Sequence, residues 1–529
     1  MGKITRREGL WAAGFAAVVM ALTSAPYLVG FASQTGTWRF SGFLIAVEDG
    51  NSYIAKMAQG ARGAWLFTLP YSSEPQRGVL IYSFYLLLGK LAGPDHDAQA
   101  AAYHLARIVF GFTLLLVSYL FLSEFLPHVR QRRLALGLVA LGGGLGWLLV
   151  LVGQGNLFNS LPVDFYSPEA YTFLILYTLP HLAAARCFFL LGLLAYLRGR
   201  GVLAGLALLG LGFIQPLFVL VAWAVMAAHT AMAQRMPLRR HVLPSTRHAS
   251  PIPHRAWLST FLLGVSLSSP LVLYTIYVFF ADPLVRQWGA QNILPSPHPL
   301  HYLFGYGVWL LPAILGWRVL ARRHPSLAHF VGGWALAVPF LIYAPVSTQR
   351  RLVEGFQLPL VTLAVLGLTV SLRRFRRWML LPVFVLALPT SAMLWVGGLG
   401  AARQLAEPVF HPADKLAAFA WLADHAQPGQ VVLSSFTTGN ALPAYTPLVA
   451  YIGHGPETVF LAAKEPRVAA FYQSATSESE RRALLADGRI AYVIFGPPER
   501  ALGDFNPEAA DYLRWQFSAG DYSIYTAIP

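Results

Sequence analysis

Apolar runs of about twenty residues recur from the N-terminus to about residue 400, parted by short polar segments. Runs of that length read as transmembrane helices. The pattern predicts eleven spans, roughly at 10–32, 104–126, 134–153, 173–197, 202–214, 216–233, 257–280, 301–320, 327–345, 353–371 and 378–400. The first run is long for a secretory leader, and no small-residue cleavage site follows it, so it reads as a span. Residues 202–233 exceed one crossing and break at Gln215-Pro216, which predicts a tight hairpin of two spans. The run 77–93 is short and predicts a helix lying in the membrane interface rather than crossing it.

Charge orients these spans. Lys3/Arg6/Arg7, Arg130/Arg132/Arg133, Arg198/Arg200, Arg235 through Arg255, Arg318/Arg322/Arg323 and Arg373/Arg374/Arg376/Arg377 hold 20 of the 39 basic residues. Nine carboxylates fall in the alternate connections: Glu48, Asp49, Glu74, Asp95, Asp97, Asp164, Glu169, Asp282 and Glu354. By the positive-inside rule the basic clusters are cytoplasmic and the acidic loops face outward. The N-terminus is then cytoplasmic, and the chain after the eleventh span is extracytoplasmic. With 56% hydrophobic and 12% charged residues, the chain is no ordinary soluble enzyme. Its net charge of +15 resides in those clusters and calls for no nucleic acid. The single cysteine, Cys187, excludes a disulfide framework.

Beyond Arg403 the pattern changes, and the last 127 residues carry 22 of the 63 charges. A helix is expected over 413–425, strands at 430–436, 491–496 and 522–528, and an apolar run at 448–453. Ser477 and Glu480 form a capping box that opens another helix, and a further helix is expected from about Pro507. The fold class is therefore a polytopic α-helical membrane domain over 1–402, followed by an extracytoplasmic α/β domain over 403–529.

The chemistry concentrates in the first outer loop, 33–103, which is too long for a mere connection. Its segment VEDGNSYIAKMAQGARGAW places Asp49, Tyr53 and Lys56 on one helical face. Glu48 and Asp49 suit a proton acceptor, a metal site or a solvated helix start. A second acidic loop, 154–172, carries Asp164 and Glu169. These either contact a substrate or are incidental polar residues of the loop. Arg350 and Arg351, in STQRRLVEGFQLPL, break the pattern of outward loops poor in arginine, and guanidinium suits a phosphodiester. Glu354 offers either of them an ion-pair partner. His181 and Arg186 lie within the fourth span, where ionisable groups are functional candidates or satisfy carbonyls. His298 and His301 either line a groove or anchor the interface. Gly142-Gly143-Gly144, inside a span, suits close helix packing. The stretch 434–458 offers Thr, Asn, Tyr and His at strand ends, as an acceptor-contacting surface or as plain connections.

The order of a first span, a large acidic outer loop with Asp49…Tyr53, a second interfacial helix and a span ending in arginines resembles the polytopic GT-C glycosyltransferases. These include the protein O-mannosyltransferases and the aminoarabinose transferases of lipid A. The resemblance covers about 45–130 in pattern and the remaining spans in arrangement. It implies a multi-pass enzyme of the plasma membrane that takes sugar from a polyprenyl-phosphate donor to a lipid, glycan or protein acceptor, with inversion. An acidic residue of this loop then serves as base. The usual pair is Asp-Glu with Tyr four after the Asp, whereas here Glu48 precedes Asp49; Asp49 is favoured as base, with Glu48 the alternative. The resemblance further implies that Tyr53, Asp164, Glu169, Arg350 and Arg351 contact substrate, and that Asp49 with Asp164 would be the ligands if Mg²⁺ or Mn²⁺ is bound. Leu352 stands where many such enzymes have Tyr after the arginine. A transporter of lipid-linked glycans, or a non-catalytic chain of the same architecture, is the alternative. No internal repeat of the transporter kind is present.

Overall fold

A computed structural model describes residues 4–234, 254–371 and 376–528. Lys3 and the basic clusters Arg235–Arg255 and Arg373–Arg377 lie outside the described side chains. Among the described residues nine helices are long and apolar enough to cross a membrane: Arg6–Ala32, His96–Phe125, Val129–Leu151, Pro180–Leu197, Pro216–Gln234, Trp257–Ala281, Pro299–Arg323, Gln349–Ser371 and Leu381–Ala401. The shorter apolar helices Gly201–Ile214 and Pro325–Leu341 occupy the two remaining predicted positions. The chain is a multi-pass α-helical membrane protein.

Several spans are interrupted where the backbone has a reason to break. The predicted span 173–197 is two helices, Thr172–Thr178 and Pro180–Leu197. The residue before a proline avoids helical dihedrals, and Leu179 is extended at φ −123° and ψ 94°. The same rule splits the hairpin at Gln215, as predicted, and the last span before Pro389. The glycine run does not continue a helix: Val129–Leu141 ends at Gly142 and a new helix starts at Gly146. The run still serves close packing, since a Cβ on Gly144 would stand 2.2 Å from the carbonyl oxygen of Gly305.

The chain divides into two units. Met1–Ser24, Leu105–Ile276 and Ile293–Gly397 form the first; Ala25–His104, Tyr277–Asn292 and Gly398–Pro529 form the second. The first unit has one apolar core, to which Trp309, Trp334, Phe189 and Leu363 contribute.

The second unit holds a five-stranded sheet in the order β4-β3-β5-β7-β6. These are β3 (Val431–Leu433), β4 (Val449–Ala450), β5 (Ile490–Phe495), β6 (Leu513–Ala519) and β7 (Tyr522–Ala527); β1 (Trp38–Phe40) pairs apart with β2 (Phe410–Pro412). β3 runs parallel to β4 and β5, while β7 is antiparallel to β5 and β6. Alternate residues feed two cores. Val431, Leu433 and Val493 pack with Phe471 and Leu484, and Val432 and Ile494 with Phe419 and Leu442. The helix Ala413–His425 and the capping box on Glu478–Asp487 stand as predicted. The helix expected from Pro507 is a single 3₁₀ turn, Pro507–Ala509, followed by β6. Pairing with β7 decides that segment, whose Leu513, Trp515 and Phe517 alternate at the period of a strand. The apolar run 77–93 is likewise helical only over Ser83–Ala92, because Val79 pairs with Phe67.

Candidate functional site

The helix Val47–Ala61 carries Glu48 and Asp49 in its first turn, where the helix dipole favours anions. It crosses Ser83–Ala92 at glycine: a Cβ on Gly60 would lie 2.0 Å from Leu86 O, and one on Gly89 1.8 Å from Met57 O. No other residue permits that approach, which fixes the helix that bears the two acids.

The loop Gly453-His454-Gly455-Pro456-Glu457-Thr458 closes on this first turn. The Gly455 amide donates to Glu48 Oε1 at 2.7 Å, and His454 Nε2 lies 3.4 Å from Asp49 Oδ1. Asn51 donates to Asn440 Oδ1 at 2.8 Å, and Asn440 in turn donates to the Glu48 carbonyl. Glu457 enters beneath, buried, with Oε1 2.6 Å from Lys56 Nζ and 2.9 Å from the donating Ser52 hydroxyl. Lys56 also lies 4.3 Å from the Tyr82 ring centroid, a cation–π contact. Gln291 spans the loop from outside, donating to the carbonyls of Pro456 and Thr458 and accepting from the Phe460 amide.

Burial disfavours the charged forms of Lys56, Glu457 and His454. Burial lowers the Lys56 pKa although Glu457 pulls it back up. Burial alone would lift Glu457, yet Lys56 and His454 hold it below the usual carboxylate range. Burial opposes the charge on His454 too, but Glu457 and Asp49 outweigh it and raise its pKa. Asp49 has 54% of its side chain exposed, beside this buried cluster. Tyr53, on the same helix, stacks on Tyr85 at 4.5 Å.

The remaining predicted residues belong to the first unit. Asp164 is 2% exposed, and its Oδ2 accepts from the Gly144 and Gly146 amides and from Thr390 Oγ1 at 2.6 Å. Its Oδ2 ties off the glycine break, while its buried Oδ1 has no hydrogen-bond partner among the described residues. Glu169 is buried 3.5 Å from Arg351 Nε. Arg350 stacks over the Tyr166 ring at 4.6 Å, and its buried Nε has no hydrogen-bond partner among the described residues. Glu354 pairs with neither of these arginines. It makes a two-point ion pair with Arg186, at 2.6 and 2.9 Å, with both side chains fully buried. His301 Nε2 donates to the Leu157 carbonyl, 2.8 Å away, and His298 caps the helix Pro299–Arg323. Among the described residues no three His, Cys, Asp or Glu side chains gather as metal ligands.

A groove of about 620 Å³ opens in the first unit between Pro299–Arg323, Pro325–Leu341 and the Val353–Leu363 stretch. Leucines, Ile314, Trp317, Phe356 and the tyrosines 302, 306 and 343 line it. Arg350 sits by its Tyr302 end, close enough to act electrostatically on that hydroxyl.

His454, Glu457 and Asn440 escape a reading of the sequence alone. They fall in 434–458, a stretch recognisable as a polar loop, but nothing in the linear pattern joins it to residues 48–56 some 400 positions earlier.

The fold is shared with solved structures of other membrane proteins. The chain is similar to the Archaeoglobus fulgidus oligosaccharyltransferase in its apo form, with a TM-score of 0.57 and 12% identity over 96% of this chain and 73% of that one. It is also similar to ArnT from Cupriavidus metallidurans in the apo state, with a TM-score of 0.52 and 14% identity over 97% of this chain and 98% of that one. The same ArnT bound to undecaprenyl phosphate gives a TM-score of 0.50 and 15% identity over the same 97% and 98%. No protein-family profile and no curated protein sequence matches the chain.

Proposed function

We propose that this protein is an integral membrane glycosyltransferase that moves a sugar from a polyprenyl-phosphate donor to a hydroxyl acceptor at the outer face of the plasma membrane. The observation that carries the reading is the apolar groove within the membrane fold, whose Tyr302 feels the charge of Arg350. An apolar groove with a cation in its neighbourhood suits a long isoprenoid chain bearing a phosphate. ArnT, similar over nearly its whole length, is a protein that binds undecaprenyl phosphate.

In this mechanism Asp49 accepts the proton of the acceptor hydroxyl as its oxygen bonds to the anomeric carbon. The bond from that carbon to the phosphate oxygen breaks with inversion, and the polyprenyl phosphate leaves with the added charge. Arg350 is the candidate for binding the phosphate, since a guanidinium suits phosphate oxygens. Glu48 is occupied by the Gly455 amide, and Asp49 is the more exposed acid. Tyr53 of the second unit and Glu169 and Arg351 of the first are further candidate substrate contacts. Asp49 and Asp164 are the candidate ligands if the reaction uses Mg²⁺ or Mn²⁺; Asp164 Oδ2 already accepts from three donors, and its Oδ1 has no hydrogen-bond partner among the described residues.

The test is release of sugar from a radiolabelled panel of polyprenyl-phosphate sugars by purified protein in lipid, with and without Mn²⁺, beside Asp49→Asn. Asp49-dependent release supports the reading and names the sugar. Absence of release, with the donor carried across the bilayer instead, overturns it in favour of a transporter.

A further inference from the structure

The loop 453–458 does more than cover the acidic turn. Glu457 N donates to His454 Nδ1 at 3.3 Å, so that nitrogen is an acceptor and the ring carries its proton on Nε2, the atom facing Asp49. The ring is held on its other sides. Tyr71 stacks on it at 5.4 Å, the Thr458 hydroxyl accepts from the His454 amide, and Tyr71 OH donates to the Asn440 carbonyl. His454 is 3% exposed. The charged and titratable groups facing it are Asp49 and Glu48 from the first turn, Lys56 from the same helix, Tyr71, and Glu457 from its own loop. A buried imidazole locked in one tautomer, aimed at a half-exposed carboxylate, is the arrangement that orients a base without touching the reactant.

We propose that His454 is the positioning residue of Asp49: its Nε2–H holds Oδ1 and fixes the plane in which the carboxylate meets the acceptor hydroxyl. The Lys56–Glu457 pair anchors the loop that delivers it. The proposal rests on the reading of Asp49 as base. It adds that the C-terminal α/β part contributes a side chain to the chemistry.

Two measurements test it. In protein labelled with ¹⁵N-histidine, the His454 resonances, assigned by their loss in His454→Gln, are expected to show the Nε2-protonated tautomer. Their titration should move to lower pH in Asp49→Asn, which removes a neighbouring negative charge. In the sugar-release assay, His454→Phe should lower kcat about 10- to 100-fold, a part of what a positioned base supplies, with the donor KM unchanged. The acid limb of its pH profile should shift upward, because the ionised carboxylate loses a donor. His454→Gln, whose amide nitrogen can replace Nε2, should restore most of the rate.

A His454 titration indifferent to Asp49→Asn overturns the pairing whatever the activity. Wild-type rate and acid limb in His454→Phe overturn the positioning role while leaving the glycosyltransferase reading intact. Coupling by NMR without release from any donor sinks that reading, and the catalytic role of His454 with it.

Discussion

The ammonium of Lys56 lies 2.6 Å from Oε1 of Glu457, 401 residues further along the chain, and both side chains are buried. Removing one partner of such a pair strands a charge in a medium that solvates it poorly, at a cost of roughly 3–5 kcal/mol. Lys56→Met and Glu457→Leu are therefore each expected to lower the apparent Tm sharply, whereas the double variant should recover much of the loss. Thermal unfolding of the three variants in one detergent checks this. A double variant as unstable as the sum of the singles would show that the pair is not coupled.

The two adjacent acids differ in what they hold. Glu48 accepts from the Gly455 amide, and a glutamine oxygen accepts that bond equally well. Glu48→Gln should thus keep most of the activity. Asp49→Asn, which removes the proton acceptor, should lose about 100-fold or more in kcat. Sugar release by the two variants at matched protein levels decides between them, and the reverse ranking would move the base to Glu48.

The span count was legible because a lipid-facing helix must be apolar over its whole length, a signal that needs no tertiary context. Breaks at Leu179-Pro180 and Leu388-Pro389 were available from proline chemistry but are masked by the continuous hydropathy around them. Segment 507–519 was misread because its turn residues sit in front of a strand whose identity depends on β7. At the site, Glu48, Asp49 and Lys56 were legible from helical spacing. Their partners His454 and Glu457 were not, because residues about 400 apart meet through the tertiary fold alone. Asp164 is legible as an acid in a polar loop, but the three donors that its Oδ2 accepts from come from segments the linear pattern does not join to it.

Arg350 and Arg351 should separate experimentally. Arg350 stacks on Tyr166 with an Nε unpartnered among the described residues, while Arg351 stands beside the carboxylate of Glu169. Hydrogen bonds to charged groups contribute about 1.5–3 kcal/mol, so Arg350→Ala should raise the donor KM roughly 10- to 100-fold. Arg350→Lys should rescue little, since lysine offers neither the planar stack nor the fork. Arg351→Ala should chiefly lower stability by uncovering buried Glu169. Donor titrations of the three variants measure the difference, and an equal KM effect at both positions would argue for a shared phosphate site.

A second charged cluster predicts acid sensitivity. Glu407 pairs with His411 and Lys415 just after the last span, with the His411 and Lys415 side chains buried. Burial opposes the charge on Glu407, but His411 and Lys415 outweigh it and bring its pKa down from 4.5 to about 2. Burial, then Lys415, lowers His411 from 6.5 to about 4. As pH falls below 6.5, the unfolded chain protonates this histidine before the folded one does, so stability declines down to about pH 4. The glutamate acts in the same direction: its contribution is complete above 4.5 and is lost as pH falls toward 2. The histidine alone, shifted by some 2.5 pH units, should account for about 3 kcal/mol. His411→Gln cannot titrate, so its apparent Tm should fall less steeply between pH 6.5 and 4 than that of the wild type. Parallel curves for the two proteins across that interval would remove His411 as the origin of the acid sensitivity.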